Sequence, residues 1–195
     1  TYITKLFHFL PSEFSHSLAL IGIKIVTTIG FRLKQSRNYK DLKILRYKFI
    51  NPLGLAAGLD KNGDYIDGLA SLGFGFLEIG TVTPRPQYGN LKPRLFRDKP
   101  SKALINKMGF NNKGVDYLVS KLKKRKSKSR IGVSIGKNHD TPNNLAHKDY
   151  LYCLEKVYEF TDYIVINISS PNTKDLRSFE IKKDLEDLIK PLKDR

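Results

Sequence analysis

The stretch 51–61, NPLGLAAGLDK, has the pattern from which the fold can be predicted. Apolar and small residues alternate as far as Leu59, and the charged pair Asp60 and Lys61 ends the run. Small side chains over 54–58 leave the backbone open, so that a flat ligand can approach it closely. We therefore predict a buried strand that ends in a lone lysine, which is suited to an anionic or electron-rich ligand.

The same pattern recurs at 74–83, 131–138 and 163–172. Each run is short and apolar and is followed by polar residues, as expected of strands that are buried on both faces. Stretches with helical spacing, such as 114–126 and 148–160, lie between the runs. Alternating strands and helices predict βαβ units in a parallel sheet, whose sites lie at the carboxyl ends of the strands.

The length of 195 residues is enough for one domain with a substantial core. A closed eight-stranded α/β barrel normally needs about 250 residues, whereas the periodicity indicates about four strand–helix units. The predicted fold class is therefore α/β, of the (β/α)8 TIM barrel family, with only about the first four units present. Because the chain starts at Thr1 without a methionine and stops at Arg195 within a charged helical run, we expect a fragment or a truncated reading frame.

The chain is strongly basic, with 35 Lys and Arg against 19 Asp and Glu and a formal net charge of +16. This balance suits an acidic membrane surface, a nucleic acid or anionic small molecules, and it equally suits lysines that decorate solvated faces. The densest run, KLKKRKSKSR at 121–130, contains no aromatic residue for base stacking. We interpret it as the solvated end of a helix with the loop that follows, and we predict no nucleic-acid partner.

The single cysteine, Cys153, excludes an internal disulfide and fits a reducing compartment. It lies in a helical stretch beside Leu151 and Leu154, which favours a core thiol over a nucleophile. No histidine and cysteine cluster has the spacing of metal ligands, so we predict no metal site.

The N-terminal segment 1–34 is apolar with a helical rhythm, and Pro11 divides it. We predict a helical hairpin in which Ser12 caps the second helix and Gly30 stops it. The apolar stretch is shorter than the roughly 20 residues that span a bilayer. Its flanking basic residues favour an amphipathic pair that lies on a membrane, and a hairpin packed on the domain is the alternative.

A polar linker at 35–43 separates that segment from the domain that we predict over 44–195. Alternating residues over 45–50 predict a short strand on the barrel floor. Proline and arginine are frequent over 84–97, which predicts a rigid loop rather than a helix. The amide-rich loop 106–112 is interpreted either as turn chemistry or as donors and acceptors for a polar planar ligand.

The segment 167–173, NISSPNT, has the most reactive composition in the chain. Its two serines precede a proline in a stiff turn, where a hydroxyl can be aimed. A covalent serine hydrolase is not expected, because the chain has no G-x-S-x-G elbow and no histidine near this segment. A serine flanked by asparagines can instead exchange a proton with a bound substrate, and the alternative is a turn that is only hydrogen-bonded.

Six stretches together resemble dihydroorotate dehydrogenase of the membrane-associated, quinone-dependent class. They are NPLGLAAGLDKNG from Asn51, FLEIGTVTPRPQYGN from Phe76, KPRLFR from Lys92, NKMGFNN from Asn106, IGKN from Ile135 and INISSPNT from Ile166. They occur in the family's order and spacing and cover nearly the whole chain. The FMN-binding barrel is shared with relatives, but Ser170 in the SSPN turn marks the quinone class. The soluble class differs, with a cysteine base on a separate loop. The family usually has asparagine where this chain has Ser134.

The resemblance implies an α/β barrel with FMN across the carboxyl ends of its strands and dihydroorotate or orotate as the ligand. The flavin contacts that it implies are Ala57, Gly58, Leu59, Asp60, Lys61, Thr81, Ser134 and Asn167. The substrate contacts that it implies are Lys61, Asn106, Lys107, Met108, Gly109, Phe110, Asn167 and Asn172. Ser170 would be the catalytic base that removes the C5 proton of dihydroorotate while C6 gives a hydride to the flavin.

The resemblance also implies a membrane quinone as the electron acceptor and a place in pyrimidine biosynthesis. The N-terminal helices would form the quinone tunnel, with His16 and Arg97 near the head group. The protein would be peripheral, on the cytoplasmic face of a bacterial cell membrane. Because the family's later strands are needed to close the barrel, we expect this chain alone neither to bind FMN tightly nor to turn over. Two alternatives stay open, which are a non-catalytic remnant and another FMN-dependent barrel oxidoreductase.

Overall fold

The computed structural model describes residues 7–30, 42–44, 46–173 and 175–195. The described helices are α1 (Ser12–Thr28), α2 (Ile66–Ala70), α3 (Val115–Lys124), α4 (Ala146–Val157) and α5 (Lys182–Lys193). The described strands are β1 (Leu42–Ile44), β2 (Tyr47–Phe49), β3 (Gly54–Leu55), β4 (Phe76–Val82), β5 (Leu95–Asp98), β6 (Ala103–Asn106), β7 (Arg130–Ile135) and β8 (Tyr163–Ile166). Short 3-10 turns lie at Asn143–Leu145, Tyr158–Phe160 and Leu176–Glu180.

Four strands form a parallel sheet in the order β3, β4, β7, β8. Phe76 at the start of β4 pairs with Gly54 on one side and with Arg130 on the other. The α/β class with about four strand–helix units is confirmed, and the described strands form an open sheet rather than a closed barrel. Their carboxyl ends therefore lie along one edge, which positions the site.

The apolar core lies between this sheet and the helices that connect its strands. β4 and β7 have a strand on either side, and their apolar side chains are fully buried except for Phe76, which is half-buried at the start of β4. The helices contribute further fully buried side chains, among them Leu118, Tyr150, Cys153 and Val157. Burial raises the pKa of the Cys153 thiol well above its ordinary value, which agrees with a core thiol rather than a nucleophile.

The first strand of the sheet is shorter than the sequence predicts, because only Gly54–Leu55 pair as a strand and both are half-buried rather than buried. At Gly58 the backbone has a φ of +108°, a conformation that a continuous strand cannot contain. The segment nevertheless continues beside β4. The Gly58 amide donates to the Gly80 carbonyl at 2.7 Å, and the Gly80 amide donates to the Asp60 carbonyl at 3.1 Å. Lys61 thus reaches the carboxyl edge through a turn.

Helix α1 confirms the second helix predicted in the N-terminal segment, and Gly30 follows it with a φ of +90°. The prediction that Ser12 caps this helix is wrong, because Ser12 already has helical geometry and Pro11 takes the cap position without a side-chain bond. The hydroxyl of Ser15 instead donates to the Phe7 carbonyl at 2.9 Å. The first helix of the predicted hairpin falls largely on residues 1–6, and most of the linker falls on 31–41; both ranges lie outside the described residues.

Two β-hairpins flank the sheet. β2 pairs with β1, and the ring of Phe49 packs on Phe76 with centroids 5.4 Å apart, at the amino end of β4 where a floor strand was predicted. β5 pairs antiparallel with β6, and this hairpin was not predicted. The rigid loop expected over 84–97 therefore ends at Arg94, where the proline-rich stretch gives way to Leu95–Asp98.

Candidate active site

Three polar side chains at the carboxyl ends of β4, β7 and β8 form one hydrogen-bonded group, called here the central cluster. The hydroxyls of Thr81 and Ser134 are 2.8 Å apart, and both residues are buried. The Nδ2 of Asn167 donates to Oγ1 of Thr81 at 2.8 Å. The structure thus brings together three residues that the resemblance assigns to the flavin.

Lys61 lies at the same edge, in the turn that follows β3. Its Nζ donates a hydrogen bond of 2.6 Å to the carbonyl of Gly58. Burial lowers the pKa of Lys61, and the positive charge of Arg94 lowers it further. A Cβ built on Gly58 would meet no atom within 4 Å. A partly desolvated ammonium group therefore stands beside an open stretch of backbone.

Asp60 has a structural task in this turn. Its buried carboxylate accepts hydrogen bonds from the backbone amides of Tyr65 at 2.8 Å, Asp64 at 3.1 Å and Asn62 at 3.3 Å. Burial raises the pKa of Asp60, and these three amides oppose that rise. The side chain thereby fixes the turn that carries Lys61 into the short helix α2.

The loop 106–110 covers the site from the other side. Met108 lines a cavity of about 220 Å³ together with Lys61, Leu59 and His16. Phe110 is buried over the end of the sheet: a Cβ built on Gly136 would be 3.1 Å from the Phe110 ring and 2.9 Å from Thr81. Only glycine allows this close approach.

The SSPN turn joins the same loop. Nδ2 of Asn172 lies 3.3 Å from Oδ1 of Asn106, and the Asn172 amide donates to the Ser170 hydroxyl at 3.3 Å. Ser170 is half-buried, whereas its neighbour Ser169 is exposed and donates to Asn167. Ser170 is thus held at the edge that bears the central cluster, three residues beyond Asn167.

The residues that the sequence assigns to flavin and substrate therefore gather at one edge. Ala57 is half-buried beside Gly58, and Gly109 has a φ of +69° and accepts a hydrogen bond of 3.1 Å from Gln87. Lys107 has an exposed side chain, and its amide donates to the Arg94 carbonyl at 2.8 Å. These positions agree with the rim that the sequence predicts, whereas the flavin and substrate contacts themselves stay a prediction.

A second network, which the sequence analysis missed, supports the loop 106–110 from below. Asn112 donates to the Thr83 hydroxyl at 2.8 Å and to the Phe110 carbonyl at 2.7 Å, and it accepts from the Gly114 amide at 2.7 Å. Asn138 donates to Gln87 at 2.8 Å and to Thr83 at 3.2 Å. The available signal was that Asn112 ends the amide-rich loop 106–112 and Asn138 ends the run 131–138, but turn chemistry explained the loop asparagines equally well.

Tyr150 is a further residue that sequence reasoning missed. It is fully buried in α4, and its hydroxyl donates a 2.7 Å hydrogen bond to the backbone carbonyl of Asn167. Burial raises the pKa of Tyr150, so the phenol keeps its proton and acts as a donor. Nothing in a helical pattern separates this tyrosine from an ordinary core residue.

Helix α1 and the turn before it are attached to the site by an ion pair and by hydrogen bonds to backbone carbonyls. Glu13 accepts a 2.7 Å hydrogen bond from the buried guanidinium of Arg94. Arg97 donates to the carbonyls of Leu10 at 2.6 Å and Phe7 at 3.2 Å. His16 lines the cavity beside Lys61, and burial, together with the Lys61 charge, lowers the pKa of His16. Of the two residues assigned to the quinone, His16 therefore lies at the cavity, whereas Arg97 lies at the turn that precedes α1.

Within the described ranges, no three His, Cys, Asp or Glu side chains gather as metal ligands would. Across the same ranges, no helix has the length and apolar character needed to cross a membrane.

A parallel sheet whose strands alternate with helices, with polar side chains gathered at the carboxyl ends, is the arrangement of enzymes built on α/β barrels. The comparison with protein families makes the assignment specific. The chain belongs to the dihydroorotate dehydrogenase family, whose model matches residues 40–194.

Curated relatives with similar sequences are named dihydroorotate dehydrogenase (quinone). The protein of Acinetobacter baylyi is 55% identical over 186 residues, which cover 95% of this chain and 55% of the relative. The protein of Cellvibrio japonicus is 49% identical, and the match covers 99% of this chain and 57% of the relative. The chain therefore spans about half the length of the curated relatives that it matches.

Solved structures show the same relationship. The dihydroorotate dehydrogenase of Eimeria tenella in complex with ferulenol is 36% identical with a TM-score of 0.82, over 93% of this chain and 50% of that one. The ligand-free type from the same organism is 38% identical with a TM-score of 0.79, and the match covers 91% of this chain and 52% of that one. The open four-stranded sheet corresponds to part of these longer chains.

Proposed function

We propose that the residues at this edge form one half of a site that oxidises dihydroorotate to orotate through FMN, with a membrane quinone as the final electron acceptor. The observation that carries the proposal is the joining of Thr81, Ser134 and Asn167 by hydrogen bonds, with Lys61 and Ser170 at the same edge. The names of the relatives supply the substrate and the acceptor.

The residues present suit a flavin. Gly58 leaves its backbone surface open, and the central cluster and the Lys61 ammonium provide the donors and acceptors that the polar edge of a flavin ring requires. Ala57, Leu59 and Asp60 would complete the cradle along the same turn. When bound, FMN supplies the acceptor for the hydride that leaves C6 of dihydroorotate.

Ser170 would remove the proton from C5 of the substrate. An alcohol is a weak base at neutral pH, so it needs donors that stabilise its oxyanion and a site that excludes water. The backbone amide of Asn172 already donates to the Ser170 hydroxyl at 3.3 Å. Loss of the C5 proton places enolate charge on the neighbouring carbonyl, and the ammonium of Lys61 would stabilise it.

The loop 106–110 and two asparagines would hold the pyrimidine ring. Asn167 and Asn172 offer amide donors and acceptors, and Asn172 already contacts Asn106. Phe110 and Met108 provide apolar surface on the same loop, and Lys107 and Gly109 complete it. Planar rings with alternating carbonyl and N–H groups bind well to such paired amides.

The quinone would approach along α1. Phe14, Leu18, Ile21 and Ile25 lie on one side of this helix, and about half of each side chain is exposed. An exposed apolar stripe on a helix is typical of peripheral attachment to a bilayer. His16 would lie near the quinone head group because it lines the cavity beside Lys61, and Arg97 would hold the N-terminal turn. The membrane face would be cytoplasmic in a bacterium.

The proposal can be tested in a chimera, because the chain spans about half of its relatives. Residues 1–195 replace the matching part of the Acinetobacter baylyi protein, which is 55% identical to this chain. We expect the chimera to purify with bound flavin and to reduce a quinone only when dihydroorotate is present. Ser170→Ala should lower the rate by roughly 10²–10⁴-fold, the usual contribution of a general base.

Ser169→Ala is the matched control from the same turn: its hydroxyl lies 3.4 Å from Oδ1 of Asn167, so its loss should lower the rate far less than Ser170→Ala. A chimera that binds flavin but shows no dihydroorotate-dependent reduction would contradict the proposal. Equal effects of the two serine substitutions would contradict the role of Ser170. The chain alone is a separate measurement, and we expect it to bind FMN only weakly.

A further inference from the structure

Arg94 lies directly before β5, at the base of the β5–β6 hairpin, and it is almost fully buried. Its Nη2 donates to the carboxylate of Glu13, in the first turn of α1, at 2.7 Å. The exposed side chain of Lys92 approaches the same carboxylate at 3.5 Å. A guanidinium that is removed from water needs a paired carboxylate, because an unpaired buried charge is costly. The ion pair therefore attaches α1 to the base of the hairpin.

The same guanidinium also holds the segment that leads into the hairpin. Its Nη1 donates to the carbonyl of Asn90 at 3.1 Å and to the carbonyl of Tyr88. Gly89 lies between these two residues with a φ of +73°, and a Cβ there would be 3.0 Å from Nη1 of Arg94 and 2.2 Å from the Met108 carbonyl oxygen. Glycine thus lets the segment lie close to the guanidinium on one side and to Met108 on the other.

This segment is in turn hydrogen-bonded to the loop that carries Lys107 and Met108. The backbone amide of Asn90 donates to the Met108 carbonyl at 3.1 Å, and its Nδ2 donates to the Lys107 carbonyl at 2.9 Å. The amide of Lys107 donates to the carbonyl of Arg94 at 2.8 Å. A continuous set of hydrogen bonds therefore leads from Glu13 in α1 through Arg94 to the backbone of the loop.

We propose that Glu13 and Arg94 are positioning residues for dihydroorotate, through which the docking of α1 fixes the conformation of the loop 106–110. The inference rests on the proposed function for the identity of the ligand. It goes beyond that function because the helix along which the quinone would approach then also sets the affinity for the other substrate. The two residues act through Lys107 and Met108 and need not contact dihydroorotate themselves.

Glu13→Gln removes the negative charge with little change of shape. The guanidinium of Arg94 would then be drawn toward water, and its hydrogen bonds to the segment 88–90 would weaken. In the chimera we expect the Kd for dihydroorotate to rise by about threefold to tenfold, which is part of what a charge-assisted hydrogen bond contributes. The rate constant of flavin reduction at saturating dihydroorotate should change less than the Kd, because Ser170 lies on another turn.

Stopped-flow absorbance of the flavin, recorded without quinone, measures both quantities. Because no quinone is present, a role of α1 in quinone reduction cannot contribute to the result. Hydrogen exchange of the full chain without FMN provides a second readout. In Glu13→Gln the amides of Lys107 and Asn90 should exchange at least about threefold faster, since local opening becomes easier where the hydrogen bonds of the loop are weakened.

Glu155→Gln is the matched control, because it breaks an exposed ion pair with Arg195 at 2.5 Å. We expect it to leave the Kd, the rate constant and the exchange of the loop unchanged. Equal effects of the two variants would show a general response to lost charge and would overturn the proposal. A Glu13→Gln chimera that loses its rate constant while its Kd stays constant would also overturn it, because the ion pair would then act on the chemical step.

Failure of this inference is distinguishable from failure of the proposed function. A chimera that oxidises dihydroorotate with the same Kd in the wild type and in Glu13→Gln would reject the inference alone. Unchanged exchange at Lys107 in the full chain would reject it even if the chimera were inactive. Faster exchange at Lys107, together with a wild-type chimera that shows no dihydroorotate-dependent reduction, would reject the function and keep the attachment of the loop to α1.

Discussion

Asn167, which follows β8, donates a 2.8 Å hydrogen bond to Thr81 in β4, although β7 lies between these two strands. Ser134 on β7 lies within 2.8 Å of the same threonine hydroxyl, so the three strands are linked at one atom. Ser134 pairs with Gly80 on one side and with Val165 on the other. The central cluster therefore forms only when both strand registers are correct.

Thr81→Val tests the cluster with little change of volume. The substitution removes the hydroxyl that accepts from Asn167 and contacts Ser134. Because a hydrogen bond contributes about 1 kcal/mol, we expect the flavin affinity of the chimera to fall by about fivefold to tenfold. A titration followed by flavin fluorescence measures this affinity.

Thr28→Val serves as the control for that change. Thr28 is exposed at the end of α1, and its hydroxyl donates to the Lys24 carbonyl within the helix. Its loss should leave flavin affinity unchanged. Equal affinities for the wild-type and Thr81→Val chimeras would mean that the central cluster does not contact the flavin.

Asn112→Ala tests the buried network below the loop 106–110. Asn112 bonds to Thr83, Phe110 and Gly114, and removal of its amide leaves buried partners unsatisfied. We expect a loss of about 2–3 kcal/mol in the free energy of unfolding, measured by urea denaturation. Asn111→Ala is the adjacent control. The Oδ1 of Asn111 is buried without a hydrogen-bond partner, so its removal should cost less than about 1 kcal/mol. Similar losses in both variants would contradict this account.

The contact between Glu13 and Arg94 predicts a pH dependence of stability. The hydrogen bond from the Arg94 guanidinium lowers the pKa of Glu13, against the effect of burial. A lowered pKa in the folded state contributes stability above the unfolded value of about 4.3. That contribution is lost as the pH falls through the folded pKa.

Glu13→Gln isolates this effect from the other carboxylates. At pH 6 the variant should be less stable by about 1–2 kcal/mol, since hydrogen bonds to charged groups contribute more than neutral ones. The difference from the wild type should shrink as the pH falls below the unfolded value and through the lowered pKa of Glu13. Thermal unfolding across this range measures it, and a difference that stays constant with pH would rule out the assignment to Glu13.

Two glycine substitutions should act in opposite directions. A Cβ at Gly75 would be 2.1 Å from the backbone carbonyl oxygen of Asn51, so Gly75→Ala should destabilise the chain by about 1–3 kcal/mol through overpacking. A Cβ at Gly22 in α1 would meet no atom within 4 Å, so Gly22→Ala should stabilise it by about 1 kcal/mol. Urea denaturation of both variants provides the comparison. Destabilisation by Gly22→Ala would indicate that α1 has a different surface from the one described.

The extent of sequence prediction differed between elements for physical reasons. β4 and β7 were predicted well because both faces of each strand are buried, which requires an uninterrupted apolar run. β3 was overestimated because apolar and small residues continue without a break to Leu59, whereas the positive φ of Gly58 turns the chain. β5 and β6 were missed because each has only four residues, and most of their side chains stay exposed without a clear alternation.

The sequence by itself determined the α/β class and the positions of four apolar runs that become the parallel strands. It also determined the polar residues that follow each run. These features follow from local periodicity and from the rule that parallel strands present their carboxyl ends together. Only the tertiary structure decided that Thr81, Ser134 and Asn167 share hydrogen bonds, and that Tyr150 holds the Asn167 carbonyl. Such contacts join residues far apart in the chain, so they depend on strand register and helix packing, which local patterns do not specify.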